Sequence, residues 1–233
     1  RTPEFDAFIE EVIKARQTQW QALVAVSQQY RQIDHYGQIV AGEFQRADRR
    51  GGGRQVNAFD RDRTRALQLL VQAMPLVKEN ANENDKGEFY LQMAQAFNYF
   101  QGGSWRLQSL TDLETLPDYG EGGYYGFRDQ GAPVDEEGNP IFYSVPESFE
   151  AATSDGERWR WALNQAGQVN DRFAAQADYE FATFLYNQFG VQTLRQYGFF
   201  FGRGAADVAN DGDEEHDESG TYALHTLSDN ETI

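Results

Sequence analysis

The sequence predicts a mainly α-helical fold: a degenerate helical repeat of tetratricopeptide-like α–α hairpins, with a long Gly/Tyr-rich loop and a small β-hairpin inserted. Apolar residues recur every three to four positions in several long stretches, as on the buried face of a helix. A serine at position 154 is followed three residues later by Glu157 and then by an apolar run, which is typical of a helix start. The residues that follow partly match the tetratricopeptide pattern.

The N-terminal helical segment, residues 1–50, has helical spacing from Pro3 to about Arg46 and predicts one long or two shorter helices. Gly37 or Gly42 is expected to end or interrupt this region. Residues 51–62 are predicted as a Gly/Arg-rich linker because three consecutive glycines break the pattern. Aspartates interleave with the arginines of this stretch, which argues against a nucleic-acid-binding patch.

Residues 63–204 are predicted as a helical repeat-like domain, with residues 102–150 as a loop insertion. Its first hairpin has helices over 63–77 and 88–100, joined by polar residues 79–86. Pro75 is expected to kink or end the first of these helices near Met74, because proline lacks the N–H that the helix needs.

The second hairpin occupies residues 154–200. Small residues would let its helices approach closely, and aromatic residues would fill the seam; these are Ala162, Ala166, Ala175 and Ala182, with Trp159, Phe173, Tyr179, Phe181, Phe184 and Leu185. Counted from Trp159, the residues Ala175, Tyr179 and Ala182 fall at places that the tetratricopeptide pattern accepts. The first hairpin does not fit in the same way, so the sequence favours a repeat-like α–α fold over strict tandem repeats.

The insertion holds the best binding candidates in the chain. Residues 119–127 have no helical or strand period and carry Tyr119, Tyr124, Tyr125 and Phe127 among glycines. Tyrosines on such a backbone give a large contact area at a modest entropic cost. The alternative is that these rings only fix a long loop to the scaffold. Residues 132–143 predict the small hairpin, which Pro140 restricts to edge pairing.

The C-terminal part is predicted as an acidic linker, residues 205–220, followed by the start of a truncated helix at 221–233. Asp207, Asp211 and Glu218 fall at ligand positions of a calcium loop, but Ala209 stands where another ligand belongs. A solvated acidic linker is therefore the stronger interpretation. A second helix-start signature, Ser228 with Glu231, lies near the end of the chain, and the first residue is not Met. We expect the chain to be a segment of a larger polypeptide.

Composition argues against several classes of partner and site. The formal net charge is −17, whereas nucleic acids and anionic membranes need a positive field. There is no cysteine, which excludes disulfides, thiolate nucleophiles and zinc–thiolate sites. No apolar run approaches the roughly 20 residues of a membrane span.

The sequence carries no recognisable catalytic motif. Its three histidines share no metal-ligand spacing, and neither a G-x-S-x-G elbow nor a phosphate-binding Gly-Lys-Ser/Thr loop occurs. Carboxylate pairs are too numerous in so acidic a chain to single out an acid–base dyad. We therefore expect no catalytic residue, no cofactor, no metal and no enzymatic activity, and a protein or peptide as partner.

Several motifs resemble a region of very large planctomycete proteins that are similar to bacterial α2-macroglobulins. The resemblance spans about residues 65–233, and its motifs are SWRLQSLTDL (104–113), GAPVD (131–135), GNP (138–140), SDGERWRW (154–161), QFGVQT (188–193) and SGTYALHTL (219–227). It implies a helical region that precedes macroglobulin β-sandwich domains in an exported chain of the periplasm, cell envelope or extracellular space. The family's Cys-Gly-Glu-Gln thioester motif is absent from this sequence, so no catalytic residue transfers.

The first functional hypothesis is accordingly a non-catalytic helical scaffold or protein-interaction module of a large exported α2-macroglobulin-like protein. Other domains of the same chain would be its partners, and it would support protease inhibition by the remainder of that chain. The alternative is a stand-alone tetratricopeptide-like adaptor that binds a peptide or protein with the concave face of its helices and the Gly/Tyr-rich loop.

Overall fold

The structure is a computed structural model that describes residues 5–46, 53–98, 107–121 and 144–189. These residues are mainly helical, as the sequence predicts, and they also contain a small antiparallel sheet. The helices are α1 (Phe5–Arg16), α2 (Trp20–Gln32), α3 (Phe59–Asn80), α4 (Glu83–Asn98), α5 (Asp155–Gly167) and α6 (Asp171–Phe189). The strands are β1 (Tyr36–Val40), β2 (Glu43–Arg46), β3 (Arg54–Asn57) and β4 (Gly120–Glu121).

Several predictions fall on residues outside the described ranges. They are the hairpin at 132–143, the acidic linker at 205–220 and the truncated helix at 221–233. The same holds for Tyr124, Tyr125 and Phe127, and for the calcium-loop candidates Asp207, Asp211 and Glu218.

Each helix packs against the next one along the chain, from α1 on α2 through to α5 on α6. This sequential array encloses one core, because each helix places an apolar face toward its neighbours. Fully burying a large apolar side chain contributes about 1.5 to 3 kcal/mol. The largest buried apolar side chains are Leu23, Leu67, Leu69, Leu70, Phe89, Met93, Phe97, Leu107, Trp159 and Phe173.

Helix α3 continues through Pro75 to Asn80, so of the two outcomes predicted there, a kink or a helix end near Met74, the helix end is wrong. Proline removes one backbone hydrogen bond from a helix interior and is unfavourable there. Met74 and Val77, on either side of Pro75, are both buried in the core. Their packing favours continuation of the helix past the proline.

The sheet replaces the helix predicted for residues 36–46 and part of the linker predicted for 51–62. Strand β1 lies between β2 and β3, all antiparallel, and β4 pairs with the outer edge of β3. The register places Gly37 opposite Arg46, and a Cβ on Gly37 would lie 2.4 Å from the carbonyl oxygen of Gln45. Gly37 therefore allows the two strands to approach, where the sequence suggested a helix end.

The β1–β2 turn also explains why the sequence did not predict this hairpin. Its two central residues, Ala41 and Gly42, have φ of 52° and 88°. Positive φ at both positions is the type I′ arrangement that suits a two-residue hairpin. Asn-Gly or Asp-Gly is the usual signal for that turn, and Ala41 gives no such signal.

The predicted start of α5 is confirmed. Ser154 is the N-cap, and its Oγ accepts a hydrogen bond from the Glu157 backbone N–H at 3.1 Å. The Glu157 carboxylate reaches back to the N–H of Thr153 at 2.6 Å, one residue earlier than in the usual capping box. The N–H of Asp155, the first residue of α5, donates to the Ser109 carbonyl at 2.9 Å. The cap thereby also ties α5 to the segment after residue 107.

The α5–α6 hairpin forms, but its seam differs from the predicted one. Five of the predicted seam residues are buried as expected, namely Ala162, Ala166, Trp159, Phe173 and Phe184, whereas Ala175 and Ala182 are exposed and Tyr179 is 72% exposed. Among the α6 side chains up to residue 184, those buried are Phe173, Ala177 and Phe184, which share one helix face. Helix α6 therefore presents a different face to α5 from the one that the tetratricopeptide count required, and that repeat assignment is not confirmed.

Candidate functional site

A cleft of about 390 Å³ opens between α1, α3 and the segment that leads into β4. Its lining combines aromatic rings with charged side chains of both signs. The lining residues are Asp6, Glu10, Tyr30, Arg46, Arg61, Asp62, Arg65, Leu116 and Tyr119.

Arg46 lies at the base of this cleft and is 2% exposed. Two of its nitrogens donate to the two carboxylate oxygens of Asp62, at 2.6 and 2.7 Å, and its Nε and Nη2 donate to Asp6. Nη1 also donates to the Asp34 carbonyl at 3.0 Å. Burial by itself would lower the pKa of Arg46, but the hydrogen bonds and charges of Asp62 and Asp6 outweigh burial and raise the pKa. The guanidinium is therefore held in its charged form.

Asp62 has a second partner in His35, which is also buried. The Nδ1 of His35 lies 2.8 Å from Oδ2 of Asp62, and its ring packs on Phe59 with centroids 4.5 Å apart. The His35 carbonyl accepts from the Ala58 N–H at 2.7 Å just before α3 begins. Asp62 thereby joins the end of α2, the sheet and α3 at one point.

A second ion pair lines the cleft nearer to solvent. Arg65 donates to both carboxylate oxygens of Glu10, at 2.8 and 2.6 Å, and the Tyr30 hydroxyl donates to Glu10 at 2.8 Å. Burial by itself would raise the pKa of Glu10, but the hydrogen bonds from Arg65 and Tyr30 lower it overall. Burial and the adjacent negative charge of Glu10 raise the pKa of the Tyr30 hydroxyl. The Glu10 carboxylate is therefore held ionised and the Tyr30 hydroxyl neutral.

Arg61 and Tyr119 also line the cleft and lie next to each other. The Tyr119 ring stacks on Phe44 with centroids 4.4 Å apart, and the Arg61 guanidinium lies 5.0 Å from the centre of the Tyr119 ring. Nη1 of Arg61 donates to the Pro117 carbonyl at 2.9 Å. Burial raises the pKa of Tyr119, so its hydroxyl stays neutral near pH 7. Among the described residues, Arg61 forms no ion pair.

Another buried network fixes the segment that carries Tyr119. Asp155, 1% exposed, accepts from Arg63 at 2.9 Å and from the Thr111 N–H at 3.1 Å, and its carboxylate is also bonded to the Thr111 hydroxyl. Arg63 also donates to the Phe97 carbonyl at 3.0 Å. Asp155 and Arg63 thus connect α3, α4 and α5 to residue 111, a few positions before the cleft.

The structure places one of the four predicted binding residues, Tyr119, in this cleft. Its ring both anchors the loop on Phe44 and lines an open surface, so the two interpretations offered for it are compatible. Sequence reasoning missed Arg61, Arg65 and Glu10 as cleft residues. Arg61 lies within the segment predicted as a Gly/Arg-rich linker, residues 51–62, and Arg65 lies just after it. No pattern in the sequence shows that α1 packs near α3.

The described residues include no group of three or more His, Asp or Glu side chains placed to hold a metal ion. None of the described helices is both long and apolar enough to cross a bilayer. Comparison with family models, curated proteins and solved structures yields no match to this chain.

Proposed function

We propose that this chain is a non-catalytic helical scaffold that presents binding surfaces to other proteins. The observation that supports this most strongly is where its buried charges lie. Four of the buried charged groups form two ion pairs, Arg46 with Asp62 and Arg63 with Asp155. Each pair joins two different helices or strands. Each of these groups fixes the position of one element on another, which is the task of a scaffold.

The sequential packing of the helices supports the same proposal. The first and last described helices, α1 and α6, pack on their neighbours along one side and keep exposed side chains on the other. Large apolar side chains are exposed on those faces at Phe8, which is 61% exposed, and at Tyr179. In a complex, exposed aromatic rings of this kind would supply apolar contact area to the partner.

On the resemblance given above, we further propose that the chain belongs to a large exported α2-macroglobulin-like protein. In that setting it would contact other domains of the same polypeptide and would support protease inhibition by them. Tetratricopeptide-like geometry is not needed for this role, since any rigid helical array can present such surfaces.

A stand-alone adaptor that binds a peptide or protein is the second candidate. The position of Tyr119 in a cleft of about 390 Å³ favours it, since this volume is within the range of small ligand sites. The test is affinity capture from source cells with the wild-type chain and with a Tyr124→Ala plus Tyr125→Ala variant. A discrete partner lost in the variant supports the adaptor, and equal capture by both counts against the loop as its binding element.

An activity screen tests the non-catalytic part of the proposal. The full chain is incubated with panels of peptide, ester, phosphoester and glycoside substrates at several pH values. We expect turnover indistinguishable from that of a heat-denatured sample. Saturable turnover that co-purifies with the chain and disappears on a single substitution would overturn the proposal.

A further inference from the structure

The cleft contains a positive group that its own carboxylates do not neutralise by direct contact. Asp6 and Asp62 both bind Arg46, and Glu10 binds Arg65. Arg61, which lines the same cleft, has no carboxylate within ion-pairing distance among the described residues. A guanidinium that has no carboxylate partner can form charge-assisted hydrogen bonds to an anion that enters the cleft.

Arg61 is also held in place before any ligand arrives. One of its nitrogens donates to the Pro117 carbonyl at 2.9 Å, and its guanidinium lies over the Tyr119 ring. Tyr119 is itself fixed by stacking on Phe44. The remaining N–H groups of Arg61 have no acceptor in the part of the chain that the structure describes. Because the planar fork is already oriented, little side-chain entropy is lost when it binds an anion.

We propose that this cleft binds a carboxylate of a partner polypeptide, with Arg61 as the anion-binding residue and Tyr119 as the adjoining ring wall. This inference rests on the proposed role as a protein-binding scaffold and names the site. A carboxylate fits better than a phosphate because Asp6 and Glu10 line the same cleft, with side chains 39% and 47% exposed. Attraction to Arg61 and repulsion from these groups both grow in proportion to the charge of the ligand, but the cost of removing an anion from water grows faster than its charge, which favours the monoanion.

The rest of the cleft determines which kind of residue can flank the acidic residue in the bound peptide. Leu116 and the ring of Tyr119 supply apolar surface in the same cleft as Arg61. The preferred ligand is therefore a short peptide segment in which an acidic residue is flanked by an aromatic or aliphatic one. The volume of about 390 Å³ accommodates a few side chains and no larger element.

The test uses the full chain labelled with ¹⁵N and the blocked tripeptide acetyl-Phe-Glu-Phe-amide as the probe. The readout is the Nε–H resonance of Arg61, assigned by its loss in Arg61→Gln. We expect a saturable shift with a dissociation constant of the order of 1 mM or tighter. The glutamine analogue, acetyl-Phe-Gln-Phe-amide, should bind about tenfold more weakly because it lacks the charge.

Three variants accompany the titration, and tripeptide binding to each is measured by isothermal titration calorimetry. Arg61→Gln should abolish binding, and Arg61→Lys should retain a weaker affinity because it keeps the charge but loses the fork. Arg172→Gln is the matched control, since Arg172 is an exposed arginine of α6 that lies outside the cleft and whose side chain donates to another surface residue, Asn84. Equal melting temperatures among the variants show that a loss of binding is not a loss of folding. If Arg61→Gln has a lower melting temperature than the wild type, tripeptide binding is compared between the wild type and Arg61→Lys instead.

The proposal is overturned if Arg61→Gln, or Arg61→Lys where the glutamine variant melts early, binds the tripeptide as the wild type does. It is also overturned if the two tripeptides bind equally, or if inorganic phosphate binds more tightly than the glutamate peptide. Its failure is distinct from failure of the scaffold proposal. If wild type and Arg61→Gln capture a protein partner equally, the scaffold proposal is kept and the Arg61 site is rejected. If the chain shows enzymatic turnover, the non-catalytic scaffold proposal is rejected, whereas the tripeptide titration still decides on the Arg61 site.

Discussion

Arg46 and Asp62 face each other as a two-pronged ion pair, with N–O distances of 2.6 and 2.7 Å and side chains only 2% and 3% exposed. The pair joins the last residue of β2 to the first turn of α3. No helical or strand periodicity identifies such a pair, since Arg46 lies at the end of a segment that the sequence predicts as helical. Asp62 is the more deeply buried of the two carboxylates that bind Arg46, and its removal leaves the guanidinium with Asp6 alone, whose side chain is 39% exposed.

We therefore expect Asp62→Asn to lower the free energy of unfolding by about 1.5 to 3 kcal/mol, the range for hydrogen bonds to a charged group, because Asp6 remains as a counterion of Arg46. Urea denaturation followed by circular dichroism measures the change. The control is Arg54→Gln, which removes an exposed pair with Glu121 at 3.4 Å and should change stability by about 0.5 kcal/mol or less. Equal losses from both substitutions would contradict the structural role of the Arg46–Asp62 pair.

The β1–β2 turn predicts a stabilising substitution. Ala41 has a φ of 52°, a region in which a residue with a Cβ is strained by about 1 to 2 kcal/mol. Ala41→Gly should relieve part of this strain and raise the free energy of unfolding by about 0.5 to 1 kcal/mol. Gly42→Ala is the matched control: a Cβ there meets no atom within 4 Å, but the φ of 88° is unfavourable for alanine. A stabilising Gly42→Ala would show that the turn has another conformation.

Packing between α4 and α6 depends on the absence of a side chain at residue 87. A Cβ on Gly87 would lie 2.2 Å from Cδ2 of the buried Phe173 ring. Gly87→Ala should therefore destabilise the fold by about 1 to 3 kcal/mol, despite the better helix propensity of alanine. Gly167→Ala, whose nearest neighbour would be 3.7 Å away, is expected to be neutral or stabilising. Thermal melts of the two variants compare them directly, and a stable Gly87→Ala would refute this contact.

The Glu10 carboxylate gives a pH dependence with a defined sign. Its pKa is lower in the folded chain than its ordinary value of 4.5. A depressed carboxyl pKa contributes stability that is present above pH 4.5 and is lost as the pH falls through the folded-state value. The side chain is 47% exposed, so the contribution is below about 1 kcal/mol after screening. Glu10→Gln should flatten the stability profile between about pH 5 and 3, as measured by urea titrations at each pH. An unchanged slope in Glu10→Gln would show that Glu10 is not the titrating group.

Helical periodicity was enough to predict α1, α2 and the two later hairpins, because apolar faces repeat at a spacing that only a helix satisfies. The same criterion failed at residues 36–57. There Ile39, Val40 and Val56 are β-branched residues interrupted by glycines, and the short strands alternate too briefly to be distinguished from a helix end. Ser154 and Glu157 predicted the start of α5 because a cap is a local interaction.

Features that depend on distant residues could not be predicted. The cleft brings Glu10, Arg61 and Tyr119 together from three separate regions of the chain, and its charges pair only after α1 has packed beside α3. The face that α6 presents to α5 was likewise undetermined. Its sequence is rich in small and aromatic residues on several faces, so Ala175 and Ala182 were as plausible in the seam as Ala177.

The native mass and location of the protein that carries this chain test the central proposal most directly. An antibody raised against the chain is used to blot fractions of source cells, and the species it detects are measured by mass spectrometry. We predict a species many times heavier than 26.5 kDa outside the cytoplasmic membrane, as expected for a scaffold within a large exported chain. A single species near 26.5 kDa in the cytoplasm would contradict that account and favour the stand-alone adaptor.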